Sequence, residues 1–318
     1  MSYNVTRLKE ANKSTFQQLY SQCANTTFQH SLEFMDYHND RFEDYSVLIL
    51  EDETPKAYLL AARDPLNHDV VISHPGATFG GLVMTSDTKG ARLTELLGSV
   101  LSFYQLEGFR TLIYKDVPQI YCSNSKGDFT YAAFRNQSTY HMVQLSAVID
   151  LTRENFFSSR RIRILKKNSS QLAVSNEWSN LNRYWDVLSN NLWDKFRARP
   201  VHTLAEIELL KERFDDSIEL FTATQKDQNE IIAGILVFKS SRVWKAQYIS
   251  SSILGRDFGA VDFLIEKIMN SARAKAANYL DLGTSNENSG MVLNENLYNF
   301  KLEFGAEGMA YEQFRFEF

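Results

Sequence analysis

The clearest pattern in the first half of the chain is a stripe of apolar residues at helical spacing. Apolar side chains recur three or four positions apart between residues 93 and 104, as on one face of an amphipathic helix. The stripe consists of Leu93, Leu96, Leu97, Val100, Leu101 and Tyr104. Short apolar runs predict strands at residues 46–50, 57–62, 70–72, 82–84 and 111–114, with a glycine-rich loop at 74–81.

The second half of the chain repeats this order of elements. A strand is predicted at residues 218–222, and a hairpin at 231–238 and 243–249. A Ser- and Gly-rich loop follows at 250–259, and then a second helical stripe of Val261, Leu264, Ile265, Ile268, Met269 and Ala272. The pattern therefore predicts a mixed α/β protein of two similarly folded domains, with the boundary between Ile149 and Ala173.

The last part of the chain predicts a strand, a polar loop and a helix. The strand covers residues 279–282, the helix 297–304, and a closing strand 309–316. Such an edge, where a strand gives way to a helix, is where open α/β sheets bind ligands. Lys301 interrupts the apolar stripe of this helix beside Phe300 and Phe304. It either snorkels to solvent or points into a cleft and stabilises negative charge on a transferred acyl group.

Composition narrows the classes of function. The 318 residues include 44% hydrophobic and 13% aromatic residues, enough for two globular cores. The net charge of -5 argues against DNA binding, which depends on many phosphate contacts. No run approaches the roughly 18 apolar residues of a membrane-spanning helix, and no signal peptide is evident. Two cysteines form no motif, so we expect a cytoplasmic protein.

The sequence contains no motif typical of a metal site or of a hydrolase. The six histidines are scattered, and neither H-E-x-x-H nor Cys-x-x-Cys occurs, so no metal site is expected. The nucleophile elbow G-x-S-x-G is also absent. His74, in the glycine-rich loop, can act as an acid, a base or a hydrogen-bond donor, or it is a turn residue.

Two further segments suggest phosphate or carboxylate binding. Residues 160–167 carry five positive charges. In a helix, Arg160, Arg163 and Lys167 share one face, where they bind such groups or form the solvated face of a connecting helix. The loop after Gly255 resembles part of the GNAT pyrophosphate loop, because Arg256 and Gly259 fit its pattern. Alternatively, the two glycines form a turn and a helix start.

The order of these segments resembles that of the FemABX family of aminoacyl and peptidyl transferases. The resembling residues include Phe34, Asp40, Phe42 and Asp44, then His74 with Gly80 and Gly81, Tyr114 and Lys115, residues 160–167, residues 200–207, Gln247 to Ile249, residues 280–283, Phe300, Lys301, Phe304 and Gly305. The resemblance implies two tandem GNAT-like domains, at residues 1–155 and 156–318, with a basic connecting helix at about 158–168 and a cleft between the domains. The helical arm of some members is missing, which argues against transfer-RNA binding.

The resemblance further implies an acyl or aminoacyl transferase that forms an amide on an amine of a cell-envelope precursor, an amino sugar or a peptide. Its co-substrate is acyl-CoA or aminoacyl-tRNA, and its acceptor is a small or nucleotide-linked molecule. Lys301 and Phe300 are the predicted catalytic residues. Gly255, Arg256 and Gly259 are expected to bind the cofactor, and His74, Tyr248, Arg160, Arg163 and Lys167 the substrate. The alternatives are an acetyl-CoA-dependent N-acetyltransferase and a non-catalytic binding module of the same fold.

Overall fold

The chain folds into two compact units. The computed structural model describes residues 3–23, 25–38, 41–154 and 157–318, so Asp40 of the family resemblance lies outside the described residues. The N-terminal unit comprises Met1–Gln144, Asn288–Val292 and Ala310–Phe318, and the C-terminal unit Leu145–Glu287 and Leu293–Met309. The end of the chain thus returns to the N-terminal unit, whereas the two domains predicted from the sequence are each continuous.

The N-terminal unit contains most of the elements predicted for the first half. Its elements are β1 (Tyr3–Arg7), α1 (Lys13–Gln22), α2 (Leu32–Asp36), β2 (Val47–Glu51), β3 (Thr54–Leu59), β4 (Ala61–Arg63), β5 (Val70–Ser73), β6 (Leu82–Met84), α3 (Ala91–Leu106), β7 (Thr111–Lys115), α4 (Gly127–Arg135) and β8 (Thr139–Asp150). Strand β8 continues into the C-terminal unit.

The sheets of the N-terminal unit place α3 over its core. Strands β1, β2, β3 and β6 form one antiparallel sheet, while β4 pairs with β5 and β5 runs parallel to β7. The predicted stripe of α3 is buried at Leu93, Leu96, Leu97, Val100 and Tyr104. Each such aliphatic side chain contributes roughly 1.5–3 kcal/mol on burial. The run 57–62, predicted as one strand, is two, because Leu59 ends β3 in one sheet and Ala61 begins β4 in the other.

The C-terminal unit contains the remaining elements. They are α5 (Ser159–Asn168), β9 (Leu172–Ser175), α6 (Leu181–Phe196), α7 (Leu204–Arg213), β10 (Ile218–Gln225), β11 (Ile231–Lys239), β12 (Val243–Ser251), α8 (Ile253–Phe258), α9 (Ala260–Ala274), β13 (Tyr279–Thr284), β14 (Asn286–Glu287), β15 (Val292–Leu293), α10 (Glu295–Leu302) and β16 (Glu307–Glu317). Strand β16 ends in the N-terminal unit.

The sheet of the C-terminal unit has the strand order β8, β13, β12, β11, β10 and β9. All six apolar residues of the predicted stripe on α9 are buried against it. Strands β12 and β13 are parallel, and their paired residues run from Val243 with Tyr279 to Lys245 with Asp281. The carboxyl ends of both strands lie beyond this last pair. This is the edge at which open α/β sheets bind ligands.

The prediction of a loop at residues 250–259 is wrong. Strand β12 continues to Ser251, and α8 begins two residues later. The Ser252 hydroxyl accepts a hydrogen bond from the Gly255 amide at 3.1 Å and so caps α8. Serine and glycine therefore mark a helix start here and not an irregular loop.

Candidate functional site

Helix α10 brings Lys301 to the carboxyl end of β13. The Asn294 side chain caps α10 by accepting the Leu297 amide at 3.0 Å. The Lys301 amine donates to the carbonyl oxygens of Gly283 at 2.8 Å and Thr284 at 2.9 Å. With 5% of its surface exposed, Lys301 does not snorkel to solvent. Its amine is instead fixed at the end of β13.

A third bond joins Lys301 to Ser285, which the sequence reasoning did not single out. The amine donates to the Ser285 hydroxyl oxygen at 3.0 Å, and Ser285 is itself buried. An ammonium has three donors, so the three bonds use all of them. The hydroxyl oxygen accepts from Lys301 and keeps its own hydrogen for donation to another group. The position of Ser285 directly after β13 was the available signal.

Burial and the neighbouring charges determine the pKa of the Lys301 amine. Burial lowers the pKa of Lys301 to about 8; Asp281 opposes this shift, and Lys245 adds to it. Asp281 lies 3.5 Å from the Lys245 amine and accepts from the Ser146 hydroxyl at 2.5 Å and the Gly283 amide at 2.8 Å. Lys301 is therefore mostly protonated at neutral pH and titrates close to the physiological range.

Phe300 is held by an arginine from the basic helix. The Arg161 guanidinium lies 4.4 Å from the centre of the Phe300 ring and 5.1 Å from that of Phe304, a cation–π geometry. The same guanidinium binds Asp262 at 2.9 Å and Glu303 at 2.6 Å. Arg161 thus connects α5 to the first turn of α9 and to the end of α10. Sequence reasoning noticed its segment but not this residue.

The predicted substrate-binding residues of α5 lie on its exposed side. Arg160, Arg163 and Lys167 are all exposed, and Arg160 contacts Glu303 at 3.5 Å. The buried positions of the helix are Arg161, Leu165 and Asn168. The structure therefore places the three charges on one solvated face, where they are accessible to an anionic ligand, and their binding role stays a prediction.

Two of the three predicted cofactor-binding residues, Gly255 and Gly259, have structural roles within the chain. A side chain at Gly255 would place its Cβ 2.1 Å from the Ile232 carbonyl oxygen, and one at Gly259 would lie 2.2 Å from Ile164. Gly259 has φ +65° and its amide bonds to the Arg256 carbonyl at 3.1 Å. With the Gly255 amide bonded to Ser252, neither glycine amide is directed to a phosphate, so these two residues do not fit a pyrophosphate cradle.

Arg256 remains accessible. It is exposed, and its guanidinium donates to the Ser251 carbonyl at 3.1 Å and the Asn191 side chain at 3.4 Å. An arginine fork has five donors, so a phosphate contact at Arg256 is compatible with these two bonds. Its role in cofactor binding stays a prediction.

Tyr248 ties β12 to the segment before α7. Its hydroxyl lies 2.7 Å from Nδ1 of His202 and accepts the His202 amide at 3.1 Å. Burial raises the pKa of Tyr248. The hydroxyl thus contacts both the ring and the amide of His202, and a substrate contact there stays a prediction.

His74 lies buried in the N-terminal unit. Its backbone is left-handed, with φ 49°, and its Nε2 contacts the Gln29 carbonyl oxygen. Burial lowers the pKa of His74 to about 3, so the ring is neutral at physiological pH. Lys115 donates to the His74 carbonyl at 3.2 Å and thereby fixes the loop. The substrate role of His74 stays a prediction, for a side chain with no exposed surface.

The N-terminal unit also has a cavity that sequence reasoning missed. Its volume is about 230 Å³, and its lining includes Tyr114, Asp116, Cys122 and Lys126. The Lys126 amine lies 2.5 Å from Asp116. Burial nevertheless raises the pKa of Asp116 to about 6, against the opposing effect of Lys126. The cavity joins an apolar wall to a buried ion pair, a combination typical of small-molecule sites.

Comparisons with known proteins identify the fold. No protein-family profile and no curated protein sequence matches the chain. Among solved structures, FemX superposes with a TM-score of 0.69 at 11% identity, covering 99% of this chain and 97% of FemX. The chain has the FemX fold. The L-PGS structure from Bacillus licheniformis gives a TM-score of 0.61 at 10% identity, covering 96% of this chain and 91% of that one.

A tandem GNAT protein from the clavulanic acid biosynthesis pathway shares the fold as well. Its TM-score is 0.54 at 10% identity, and the match covers 99% of this chain and 98% of that protein. These matches confirm the predicted fold class of two tandem GNAT-like domains, and they confirm the FemABX resemblance at the level of the fold. At sequence identities this low, the matches support a conclusion about the fold alone.

Neither a metal-binding cluster nor a membrane-spanning helix is found in the part of the chain that the structure describes. Among residues 3–23, 25–38, 41–154 and 157–318, no group of three or more His, Cys, Asp or Glu side chains is arranged to hold a metal ion. In the same part of the chain, no helix combines the length and the apolar character that crossing a bilayer requires.

Proposed function

We propose that this protein is an acyl or aminoacyl transferase that forms an amide on an amine. The observation that carries the proposal is the buried Lys301 amine at the carboxyl end of β13, bonded to Gly283, Thr284 and Ser285. The FemX fold and the tandem GNAT fold support it. A buried cation at a ligand edge suits a reaction in which negative charge develops on oxygen.

The proposed reaction needs no covalent enzyme intermediate. The amine nitrogen bonds to the carbonyl carbon of an activated ester or thioester, and the carbonyl electron pair moves to oxygen. When this oxyanion collapses, the bond to the leaving oxygen or sulfur breaks and the leaving group keeps the electron pair. The attacking nitrogen loses its proton to water. The protein's task is to position both substrates and to stabilise the oxyanion.

Lys301 supplies the positive charge for that oxyanion. Because all three of its donors are engaged, a direct bond to the oxyanion replaces one of them. The Ser285 bond is the one to exchange, since a hydroxyl can turn and donate to the oxyanion itself. The lysine amine and the serine hydroxyl, which lie 3.0 Å apart, then both donate to the oxyanion.

Phe300 is proposed to position the acyl carrier. Its ring is half-buried and contacts both the Arg161 guanidinium, 4.4 Å from its centre, and the Phe304 ring, whose centre is 5.2 Å away. An aromatic ring held by two such contacts presents a rigid surface. Arg161 is accordingly a positioning residue for Phe300.

The proposed acceptor is an amine of a cell-envelope precursor, an amino sugar or a peptide. The FemABX resemblance of the sequence supports this choice. The exposed charges of Arg160, Arg163 and Lys167 suit the phosphates of a nucleotide-linked acceptor. Tyr248 is a further proposed acceptor contact, and a role for the fully buried His74 side chain stays a prediction.

The donor class is acyl-CoA or aminoacyl-tRNA. An acetyl-CoA-dependent N-acetyltransferase is the CoA version of this proposal, and the tandem GNAT likeness supports it. Since the Gly255 and Gly259 amides are engaged within the chain, no step is assigned to a coenzyme phosphate at these residues. Arg256 is the proposed contact for the donor's phosphate.

A second candidate is a non-catalytic binding module of the same fold. The saturation of Lys301 by three acceptors within the chain favours it. Such a module binds the same ligands but forms no product. The two candidates therefore differ in turnover and not in affinity.

A ligand panel followed by product analysis tests the proposal. Acetyl-CoA, charged transfer RNA and nucleotide-linked amino sugars are first compared by thermal shift, where a ligand at 100 times its Kd stabilises by about 2.7 kcal/mol. Donor and acceptor that bind are then incubated together and analysed by mass spectrometry. The proposal predicts an amide product. Binding of both without product would establish the binding module, and no binding by any member would overturn both candidates.

A further inference from the structure

A buried ion pair lies next to the candidate site, at the last pairing of β12 with β13. Lys245 of β12 and Asp281 of β13 are partners in the parallel register, and the lysine amine lies 3.5 Å from the carboxylate. Asp281 has no exposed surface, and Lys245 is buried as well. The proposed reaction uses neither residue. A buried ion pair adds little net stability compared with apolar side chains of similar volume, so stability alone does not explain charged residues here.

Asp281 holds the backbone that binds Lys301. Its Oδ1 accepts the Gly283 amide at 2.8 Å, and the carbonyl oxygen of the same glycine accepts the Lys301 amine at 2.8 Å. Gly283 has φ +80°, a left-handed conformation that glycine adopts without steric cost. The carboxylate therefore fixes the turn of the chain, and the turn directs the carbonyl to the lysine.

A serine of β8 fixes the carboxylate in its turn. The Ser146 hydroxyl donates to Oδ1 of Asp281 at 2.5 Å, the same oxygen that accepts the Gly283 amide. The other oxygen, Oδ2, faces the Lys245 amine. Ser146 and Asp281 have no exposed surface. Asp281 is thus held in one orientation away from solvent, and it acts on Lys301 through Gly283 and through its charge.

The charges that act on the Lys301 amine come from two neighbouring strands. Asp281 on β13 favours the ammonium form of Lys301, whereas Lys245 on β12 opposes it. These three residues carry two positive charges and one negative charge, which leaves one positive charge in excess. Because buried charges are screened much less than exposed ones, this excess is available to negative charge that develops on a substrate oxygen.

We propose that Asp281 is a positioning residue for Lys301. It orients the amine through the Gly283 turn, and its charge keeps the amine protonated against the repulsion of Lys245. The proposal rests on the proposed function, because that function gives Lys301 the task of stabilising an oxyanion. An ion pair with a purely structural role would affect the stability of the fold and leave the titration of Lys301 unchanged.

Titration of Lys301 in the intact chain tests the electrostatic part. Carbon-13 NMR of labelled lysines follows the protonation of each amine, and the Lys301 signal is the one that Lys301→Arg lacks. Asp281→Asn keeps the side-chain shape and removes the charge, so the midpoint should move down by about one pH unit. Lys245→Met removes the opposing cation and should move it up by a similar amount.

A matched control separates this effect from the general loss of a buried carboxylate. Asp116, in the N-terminal unit, is also buried and paired with a lysine, and Asp116→Asn should leave the Lys301 titration unchanged. An unchanged Lys301 midpoint in folded Asp281→Asn would refute the role of Asp281. If Asp281→Asn does not fold, Lys245→Met decides the question, because the absence of an upward shift would show that this pair does not act on Lys301.

The pH profile of amide formation tests the link to the reaction. The ammonium form of Lys301 is the active one, so kcat/KM should fall as pH rises through its midpoint, and in Asp281→Asn this fall should begin about one pH unit lower. The acceptor amine titrates identically with both proteins, so the difference between the profiles reports on Lys301. Absence of turnover in the parent protein would overturn the proposed function. Turnover with identical profiles in both proteins would overturn the positioning role alone.

Discussion

The amine of Lys301 lies 3.0 Å from the hydroxyl oxygen of Ser285. The two side chains form a pair in which the lysine carries the charge and the serine carries a hydrogen that is not directed to the lysine. Both are buried, so their electrostatic interaction is stronger than it would be in water. The pair gives Lys301 a route to an oxyanion that leaves its bonds to Gly283 and Thr284 intact.

Ser285→Ala should therefore lower kcat with little change in KM. The substitution removes one hydrogen-bond donor proposed to act on the oxyanion, and such a loss costs on the order of 10- to 100-fold in kcat. Steady-state kinetics of the amide-forming reaction provide the measurement. Ser271→Ala, a half-buried serine of α9, is the control and should keep parental kcat. An unchanged kcat in Ser285→Ala would show that this hydroxyl does not donate to the oxyanion.

The titration of Lys301 predicts a pH-dependent contribution to stability. Burial lowers its pKa from 10.5 to about 8, so between these values the unfolded chain holds a proton that the folded chain has released. Stability relative to Lys301→Met should rise as pH increases through this window, by up to roughly 3 kcal/mol, and stay flat below pH 8. Urea unfolding of both proteins from pH 7 to about 10 measures the difference. A difference that falls with pH would contradict the assigned pKa.

Two adjacent arginines should differ sharply in their effect on stability. Arg161 is buried between Asp262 and Glu303, whereas Arg160 is exposed. Arg161→Met leaves a buried carboxylate unpaired and should destabilise by about 3–5 kcal/mol. The matched Arg160→Met should change stability by less than about 0.5 kcal/mol. Denaturant unfolding distinguishes them, and equal effects would mean that Arg161 does not bridge α5, α9 and α10.

Substitutions at Gly259 test whether packing within the chain is the reason for a glycine at this position. A Cβ at this position would lie 2.2 Å from the Ile164 side chain, in a left-handed conformation with φ +65°. Gly259→Ala should destabilise by about 2–4 kcal/mol. Adding Ile164→Ala removes the clash and should recover part of that loss, beyond the sum of the two single effects. No recovery in the double variant would show that Ile164 packing is not the reason for glycine here.

Helices and strands could be predicted wherever their buried apolar residues recur at a regular spacing along the sequence. The stripes of α3 and α9 were identified because their apolar residues line one helix face. Helix α6 carries a similar stripe, Leu181 to Leu188, but only in its first turns, and it was missed. Strand β8 was missed as well, because its first half is mostly exposed and has no continuous apolar run.

The candidate site was only partly predictable. Lys301 was recognisable as a cation within an apolar helix, but two of its three partners are backbone carbonyls, and sequence does not mark which carbonyls converge. Arg161 was hidden among equivalent charges, since only the packing of α5 decides which arginine faces Phe300. The Gly255 and Gly259 pattern resembled a phosphate loop because tight packing and ligand approach both require a missing side chain.

The most direct test of the account compares two lysines that each donate to two backbone carbonyls. Lys211 donates to the carbonyl oxygens of Asp215 at 2.8 Å and Ile218 at 2.9 Å, as Lys301 does to those of Gly283 and Thr284. We predict that Lys301→Met lowers kcat/KM for amide formation by about 100-fold or more, with the two-unit fold preserved by circular dichroism. Lys211→Met should keep parental kcat/KM. Near-parental turnover in Lys301→Met, or an equal loss in both variants, would contradict a catalytic role for Lys301.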